Sequence, residues 1–168
     1  GGDNELAIVV QSLLGLSLNR LIGRVNALCW WRPQADQEKV EVAFSGQTVP
    51  MKWDFAEGCP LTGGTAGWDD SYEPPVRVIE NLISSQLSVG SVVQSSATNH
   101  PLPDDAAHAF ITDPPYYDAV PYAALSDFFY VWFKRTMPSE LASPFSAEVA
   151  PKDAECIVDE ASQKDRIY

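Results

Sequence analysis

Apolar residues in the first part of the chain recur at helical spacing. From about Asn4 to Trp31 they follow an i, i+3, i+4, i+7 pattern, which is typical of a helix with one apolar face. Pro33 marks the end of this segment, because proline lacks the amide hydrogen that a helix interior needs. Two glycines inside it, Gly15 and Gly23, are interpreted as points of close packing. The pattern predicts one long amphipathic helix.

The remaining apolar patterns predict shorter elements. They are an edge strand or extended segment at Glu38–Phe44, a helix at Val76–Leu87 opened by Pro74 and Pro75 and ended by Gly90, strands at Ser91–Ser95 and His108–Thr112, and a helix at Tyr122–Met137. This order is typical of a piece of an α/β sheet domain. The 168 residues are divided into a helix (1–33), an extended or loop insert (34–73), a helix-strand-strand-helix core (74–137) and a C-terminal extension (138–168).

The core carries the most informative motif, Asp113-Pro114-Pro115-Tyr116, directly after a predicted strand. The exocyclic amine of a nucleobase is a poor nucleophile, since its lone pair is delocalised into the ring. The Asp113 carboxylate and the Pro114 carbonyl could accept the two amine hydrogens and leave the lone pair aimed at a methyl donor, a form of preorganised electrostatic catalysis. The prolines restrict the backbone of the loop, and Tyr116 could stack on a base swung out of its duplex.

Residues just behind the motif are further candidates for base binding. Tyr117, Asp118 and Tyr122 lie where the loop and the start of the third helix could shape a pocket. Asp-Pro-Pro sequences also form ordinary loops, so a purely architectural turn remains the alternative.

The motif and its surroundings resemble a specific group of proteins. Thr112–Tyr122 and Leu125–Arg135, together with Met51–Glu57, Cys29–Trp31, Pro151-Lys152 and Glu155, are similar to the large prokaryotic adenine-specific DNA methylases that carry a leading domain of unknown function. The resemblance implies a partial Rossmann-like methyltransferase sheet with flanking helices, S-adenosylmethionine as methyl donor, DNA as partner and a restriction or phage-defence setting. It also gives Asp113, Pro114 and Tyr116 the roles of amine acceptor, carbonyl acceptor and stacking residue.

The chain departs from this group at the cofactor site. Such enzymes have a glycine-rich turn after the first strand, and nothing here matches it. Leu61–Gly67 is rich in glycine, but Cys59-Pro60 precedes it instead of a strand and no helix start is expected after it, so it is interpreted as a flexible loop. We expect the chain to be an internal piece of such an enzyme, inactive in isolation, with most of the cofactor site elsewhere.

Charge and composition change this picture in two ways. The formal net charge is −12, from 11 basic and 23 acidic residues, whereas DNA-binding domains ordinarily carry a basic surface. Either the residues that bind DNA lie outside this chain, or the chain does not bind nucleic acid and is a non-catalytic interaction module. Separately, the base that receives the methyl group could be cytosine or an RNA base instead of adenine in DNA. Three widely spaced cysteines (Cys29, Cys59 and Cys156) indicate neither disulfides nor a metal site.

Other side chains favour structural roles. The aromatic residues of the third helix are interpreted as core packing, Lys134 and Arg135 as favourable charges at a helix C-terminus, and Asp54 and Asp127 as structural hydrogen-bonding residues. Without a signal sequence or an uncharged stretch of transmembrane length, we expect a cytoplasmic protein with no membrane segment.

Overall fold

The computed structural model describes residues 2–35, 38–46, 48–49, 51–95, 99, 101–116, 120–153 and 155. In chain order the elements are α1 (Gly2–Ile22), β1 (Trp30–Arg32), β2 (Lys39–Glu41), α2 (Trp68–Ser84) and α3 (Tyr122–Thr136), followed by short 3₁₀ turns at Ser139–Leu141 and Ser143–Phe145. β1 and β2 are antiparallel, with Trp31 opposite Val40. The fold is therefore a mixture of helices with one small antiparallel sheet.

The first helix ends at Ile22 and not at Trp31, as the apolar pattern predicts. Asn26 accounts for the early end, because its amide Nδ2 donates to the Ile22 carbonyl at 2.6 Å and its Oδ1 accepts from the Leu28 N–H at 2.8 Å. These bonds offer the backbone an alternative to the helical ladder. The chain then turns, and Trp30 pairs with Glu41 across the sheet.

The buried surface of α1 differs from the predicted apolar face. Its buried residues lie in the C-terminal half and include the small or polar Gly15, Ser17 and Asn19. A Cβ atom on Gly15 would lie 2.8 Å from the Met137 methyl carbon, just beyond α3, so the predicted close packing at Gly15 is confirmed. Several apolar side chains of the N-terminal half are exposed instead, and the prediction of an amphipathic helix over its whole length is wrong.

Among the described residues, α1 is also long and apolar enough to cross a membrane. It has 21 residues, and its most apolar window has a mean hydropathy of 1.4, with 28% of that window buried. This is weak evidence for a membrane span, because core helices of soluble proteins and signal sequences meet the same criteria.

The second helix begins at Trp68, about two turns before its predicted start, and contains Pro74 and Pro75. Pro74 cannot donate to the carbonyl of Asp70, but the Arg20 Nε of α1 donates to that carbonyl at 3.2 Å. This long-range bond lowers the cost of proline inside the helix. Gln86, with a left-handed φ of 52°, follows the C-terminal end. The helix therefore stops at Ser84, three residues before the predicted Leu87.

The two strands predicted around the motif are absent. In the part of the chain that the structure describes, β1 and β2 make up the whole sheet, and neither 91–95 nor 108–112 joins it. Val92 is 100% exposed and Ile111 is 94% exposed. An apolar run becomes a strand only where a neighbouring strand takes its backbone hydrogen bonds, and no such neighbour is described here.

A small core connects the sheet to the third helix. Cys29, Val40, Ala43 and Ala66 form its buried cluster. Phe44 packs against this cluster. The centroid of its ring lies 5.1 Å from that of Phe128 and 5.2 Å from that of Phe129, and both of these residues belong to α3. These contacts confirm that the aromatic face of α3 packs against the fold. They also fix the position of the helix whose first residue borders the motif.

Candidate functional site

The motif loop and the start of α3 enclose one concave site. Asp113, Pro114, Pro115 and Tyr116 line it together with Tyr122, the first residue of α3, and its volume is about 350 Å³. A volume of this size lies within the range of roughly 300–1,000 Å³ for small-molecule sites. The structure therefore brings the four predicted motif residues together with one predicted base-binding residue. Tyr117 and Asp118 lie outside the described residues.

The site is open to solvent. Asp113 is exposed, and Tyr116 and Tyr122 are 67% and 41% exposed. The carboxylate is thus accessible to an incoming polar group, and it is not held in packing away from the cavity. The two rings form apolar walls with polar tips, which suits a flat heterocycle.

The start of α3 depends on a residue distant in sequence. Pro121, at the N-cap, has no side-chain hydrogen bond to the helix, and proline has no acceptor on its side chain. Glu155 takes this role: its Oε1 accepts a hydrogen bond from the Ala123 N–H at 2.8 Å. The Tyr122 N–H donates to the Val120 carbonyl at 3.0 Å. No short-range pattern could have indicated Glu155 as a cap, because 32 residues separate it from Ala123.

Asp127 has the partners that its sequence context predicts. Its Oδ1 accepts from the Ala150 N–H at 2.9 Å, and its Oδ2 lies 2.8 Å from the Lys152 Nζ. The structural role proposed for Asp127 is therefore confirmed. Asp54, in contrast, is exposed, so it does not need a buried partner.

The glycine-rich segment Leu61–Gly67 is an integral part of the fold. α2 begins directly after it at Trp68, so the expectation that no helix follows is wrong. The backbone N–H groups of Gly67 and Trp68 donate to the carbonyls of Gly64 and Pro60 at 2.7 Å and 2.9 Å. Ala66 enters the buried core, which also corrects the interpretation of this segment as a flexible loop.

This segment is a poor site for a phosphate or another anion. Two of the N–H groups at this helix start, those of Gly67 and Trp68, are already bonded within the loop. The first turn of α2 also carries two carboxylates, Asp69 and Asp70, which oppose an anion at the positive end of a helix. Asp70 also forms a salt bridge with Arg24 of α1, at 3.3 Å.

A second concavity, of about 230 Å³, lies between α1 and α2. Its lining residues, which run from Val10 to Ile79, contain no charged side chain. Recognition of S-adenosylmethionine requires partners for its carboxylate, amino and ribose groups, so this groove does not fit the cofactor. Neither the glycine-rich segment Leu61–Gly67 nor this groove between α1 and α2 therefore fits the methyl donor.

The other candidate side chains have structural contacts. Lys134 Nζ donates to the Ala147 carbonyl at 2.6 Å, and Arg135 donates to the Val131 carbonyl one turn earlier in α3. Cys29 is packed in the core, and its burial raises the pKa of the thiol. Because the thiolate is the reactive form, Cys29 is not a reactive cysteine. Within the described segments, no three histidine, cysteine or acidic residues form a group that could hold a metal ion.

Comparison with known proteins adds no assignment. No protein-family model matches the sequence, and neither the curated proteins nor the solved structures compared with it give a match.

Proposed function

We propose that this chain contributes the target-base loop of an S-adenosylmethionine-dependent methyltransferase acting on the exocyclic amine of adenine in DNA. In this proposal the loop belongs to a Rossmann-like domain, of which the chain is a part. The observation that carries the proposal is the shared cavity of Asp113, Pro114, Tyr116 and Tyr122. An exposed carboxylate lies there beside Pro114 and two aromatic rings, and a carbonyl oxygen from Pro114 would complete the set that an amine on a flat heterocycle requires.

The chemistry assigned to these residues concerns the amine. Asp113 and the Pro114 carbonyl accept its two hydrogens, so the nitrogen becomes pyramidal and its lone pair becomes available. The methyl donor, when bound, would supply the electrophilic methyl carbon; its carbon–sulfur bond would break as the carbon–nitrogen bond forms, and the sulfur would leave as a neutral thioether. The methylated nitrogen carries a positive charge and readily loses a proton, so Asp113 does not have to be a strong base. Tyr116 and Tyr122 hold the ring of a base that has left its stack.

The acidity of the chain limits what it does within this proposal. A surface that neutralises DNA phosphates needs clustered lysine and arginine residues, whereas acidic residues outnumber basic ones by 23 to 11 here. The chain therefore supplies the base pocket, and the phosphate contacts and the cofactor site are assigned to other parts of the enzyme.

The test is methyl transfer by the full-length protein carrying Asp113→Ala. This change removes the carboxylate oxygens that accept the amine hydrogen, whereas Asn would keep an acceptor oxygen. We expect the rate of labelled-methyl transfer to DNA to fall by about 10²–10³-fold, with cofactor affinity, measured by calorimetry, unchanged. Asp104→Ala is the matched control, because it removes a carboxylate from a nearby exposed position and should leave the rate unaltered.

The same experiment separates the alternatives. Mass spectrometry of the methylated nucleosides distinguishes adenine from cytosine, and a parallel reaction with RNA tests the third substrate. Normal turnover by Asp113→Ala would remove this carboxylate from the reaction and refute the proposal.

A non-catalytic interaction module is the second candidate. It is favoured by the net charge of −12 and by the glycine-rich segment, in which the N–H groups of Gly67 and Trp68 are already bonded within the loop. It predicts that the full-length protein transfers no methyl group to either DNA or RNA. Any transfer that depends on Asp113 would exclude it.

A further inference from the structure

The segment after the second 3₁₀ turn runs back along α3. Its contacts begin at Ala147, whose carbonyl accepts from Lys134 Nζ at 2.6 Å. They continue at Ala150, which is buried and bonds to Asp127, and they end at Glu155. We call residues 147–155 the strap, of which residue 154 is not described. The strap follows α3 from its C-terminal turn to its N-terminal turn, and it ends beside the candidate site.

The last contact of the strap is the strongest candidate for a functional one. The first turn of α3 carries no acidic residue, and its N-cap, Pro121, makes no side-chain cap hydrogen bond. Glu155 supplies both a hydrogen-bond acceptor and a negative charge at this end of the helix, and both favour helix formation there. The residue preceding the capped Ala123 is Tyr122, which lines the cavity.

We infer that Glu155 is a positioning residue, which holds the first turn of α3 so that the Tyr122 ring faces the Asp113-Pro114-Pro115-Tyr116 loop. This inference rests on the proposed function, because it assigns Tyr122 to binding of the target base. Glu155 itself does not line the cavity and acts through the helix. Loss of the cap frees the first turn, and Tyr122 then occupies its position against the loop for a smaller fraction of the time.

The physical part of the inference is tested by nuclear magnetic resonance on the full-length protein. Loss of a helix cap typically corresponds to about a fivefold change in the local equilibrium. We therefore expect Glu155→Ala to lower the hydrogen-exchange protection of the Ala123 amide by about fivefold and to shift the ring signals of Tyr122. Glu155→Gln keeps an acceptor oxygen and should restore most of the protection. Lys134→Met is the matched control, since it removes a strap contact at the far end.

The functional part uses steady-state kinetics and a double-mutant cycle. Glu155→Ala should raise KM for DNA by up to about fivefold, with a smaller effect on kcat. In a Tyr122→Ala background the same substitution should have no further effect, because its target is gone. Equal effects in both backgrounds would show that Glu155 does not act through Tyr122 and would overturn the inference.

Failure of the inference and failure of the proposed function give different results. If the wild-type protein transfers no methyl group, the proposed function fails, while the resonance measurements still decide whether Glu155 positions Tyr122. Unchanged Ala123 protection or unchanged Tyr122 ring signals in Glu155→Ala would overturn the inference even in an active enzyme. A Gln substitution as damaging as Ala would also overturn it.

Discussion

Gly67→Ala should destabilise the fold through a contact and not through backbone strain. Gly67 has φ −79° and ψ 159°, an extended conformation that any residue can adopt. An added Cβ would nevertheless lie 2.0 Å from the Thr62 carbonyl oxygen and 2.8 Å from that of Gly64. Carbon and carbonyl oxygen atoms ordinarily approach no closer than about 3.3 Å. Because the clash is with backbone on both sides, side-chain rotation cannot relieve it.

The size of the effect follows from what must move. Separating the two backbone segments by about 1 Å breaks the 2.7 Å hydrogen bond from the Gly67 N–H to the Gly64 carbonyl, at a cost of about 1 kcal/mol. Overpacking adds about 1–3 kcal/mol. We expect a loss of roughly 3 kcal/mol in the free energy of unfolding, which lowers Tm by about 6–12 °C in a chain of this length.

The measurement is urea unfolding followed by tryptophan fluorescence and circular dichroism. Trp68 directly follows Gly67 and reports on this region. Gly63→Ala is the matched control from the same segment, because nothing lies within 4 Å of its added Cβ; its stability should stay equal or rise by a few tenths of a kcal/mol. Equal unfolding midpoints for the two variants would show that the segment does not pack as described.

Three further predictions concern the strap and the core. Asp127→Ala should lower the free energy of unfolding by about 2 kcal/mol in urea titrations, because it leaves the Ala150 N–H without its charged acceptor. Asp127→Asn should lower it by less, and equal losses for the two variants would contradict this account. Iodoacetamide should modify the exposed Cys59 well before the buried Cys29 in peptide mapping, and similar rates would refute the burial of Cys29. Burial raises the pKa of the Cys29 thiol, so as pH rises the thiol loses its proton in the unfolded state before it does so in the folded state. The free energy of unfolding should therefore fall as pH rises past the ordinary pKa of a thiol.

Elements that are defined by local apolar spacing and by a helix-ending residue nearby in the chain are predictable from this sequence. α3 begins at Tyr122 as predicted and ends at Thr136, one residue before the predicted Met137, because its apolar spacing is strong and Pro138 follows. The cavity also follows from local sequence, since the motif and Tyr122 are close neighbours in the chain.

Features set by tertiary partners are not predictable in the same way. α2 continues through Pro74 where Arg20 of another helix takes over the Asp70 carbonyl. The apolar run at 91–95 meets the pattern of a strand but forms none in the structure, since strand formation depends on a neighbour. The cap from Glu155 spans 32 residues and leaves no trace in local spacing.

The exposed stretch around Val89 and Val92 has a practical consequence for handling the protein. Residues 87–95 contain no charged side chain, and both valines are fully accessible, so this stretch can template strand pairing between molecules. Mutual repulsion among acidic chains opposes such association at neutral pH. The repulsion vanishes near the isoelectric point of about 4.4 and weakens at high salt. Purification at neutral pH and modest ionic strength should therefore keep the protein dispersed.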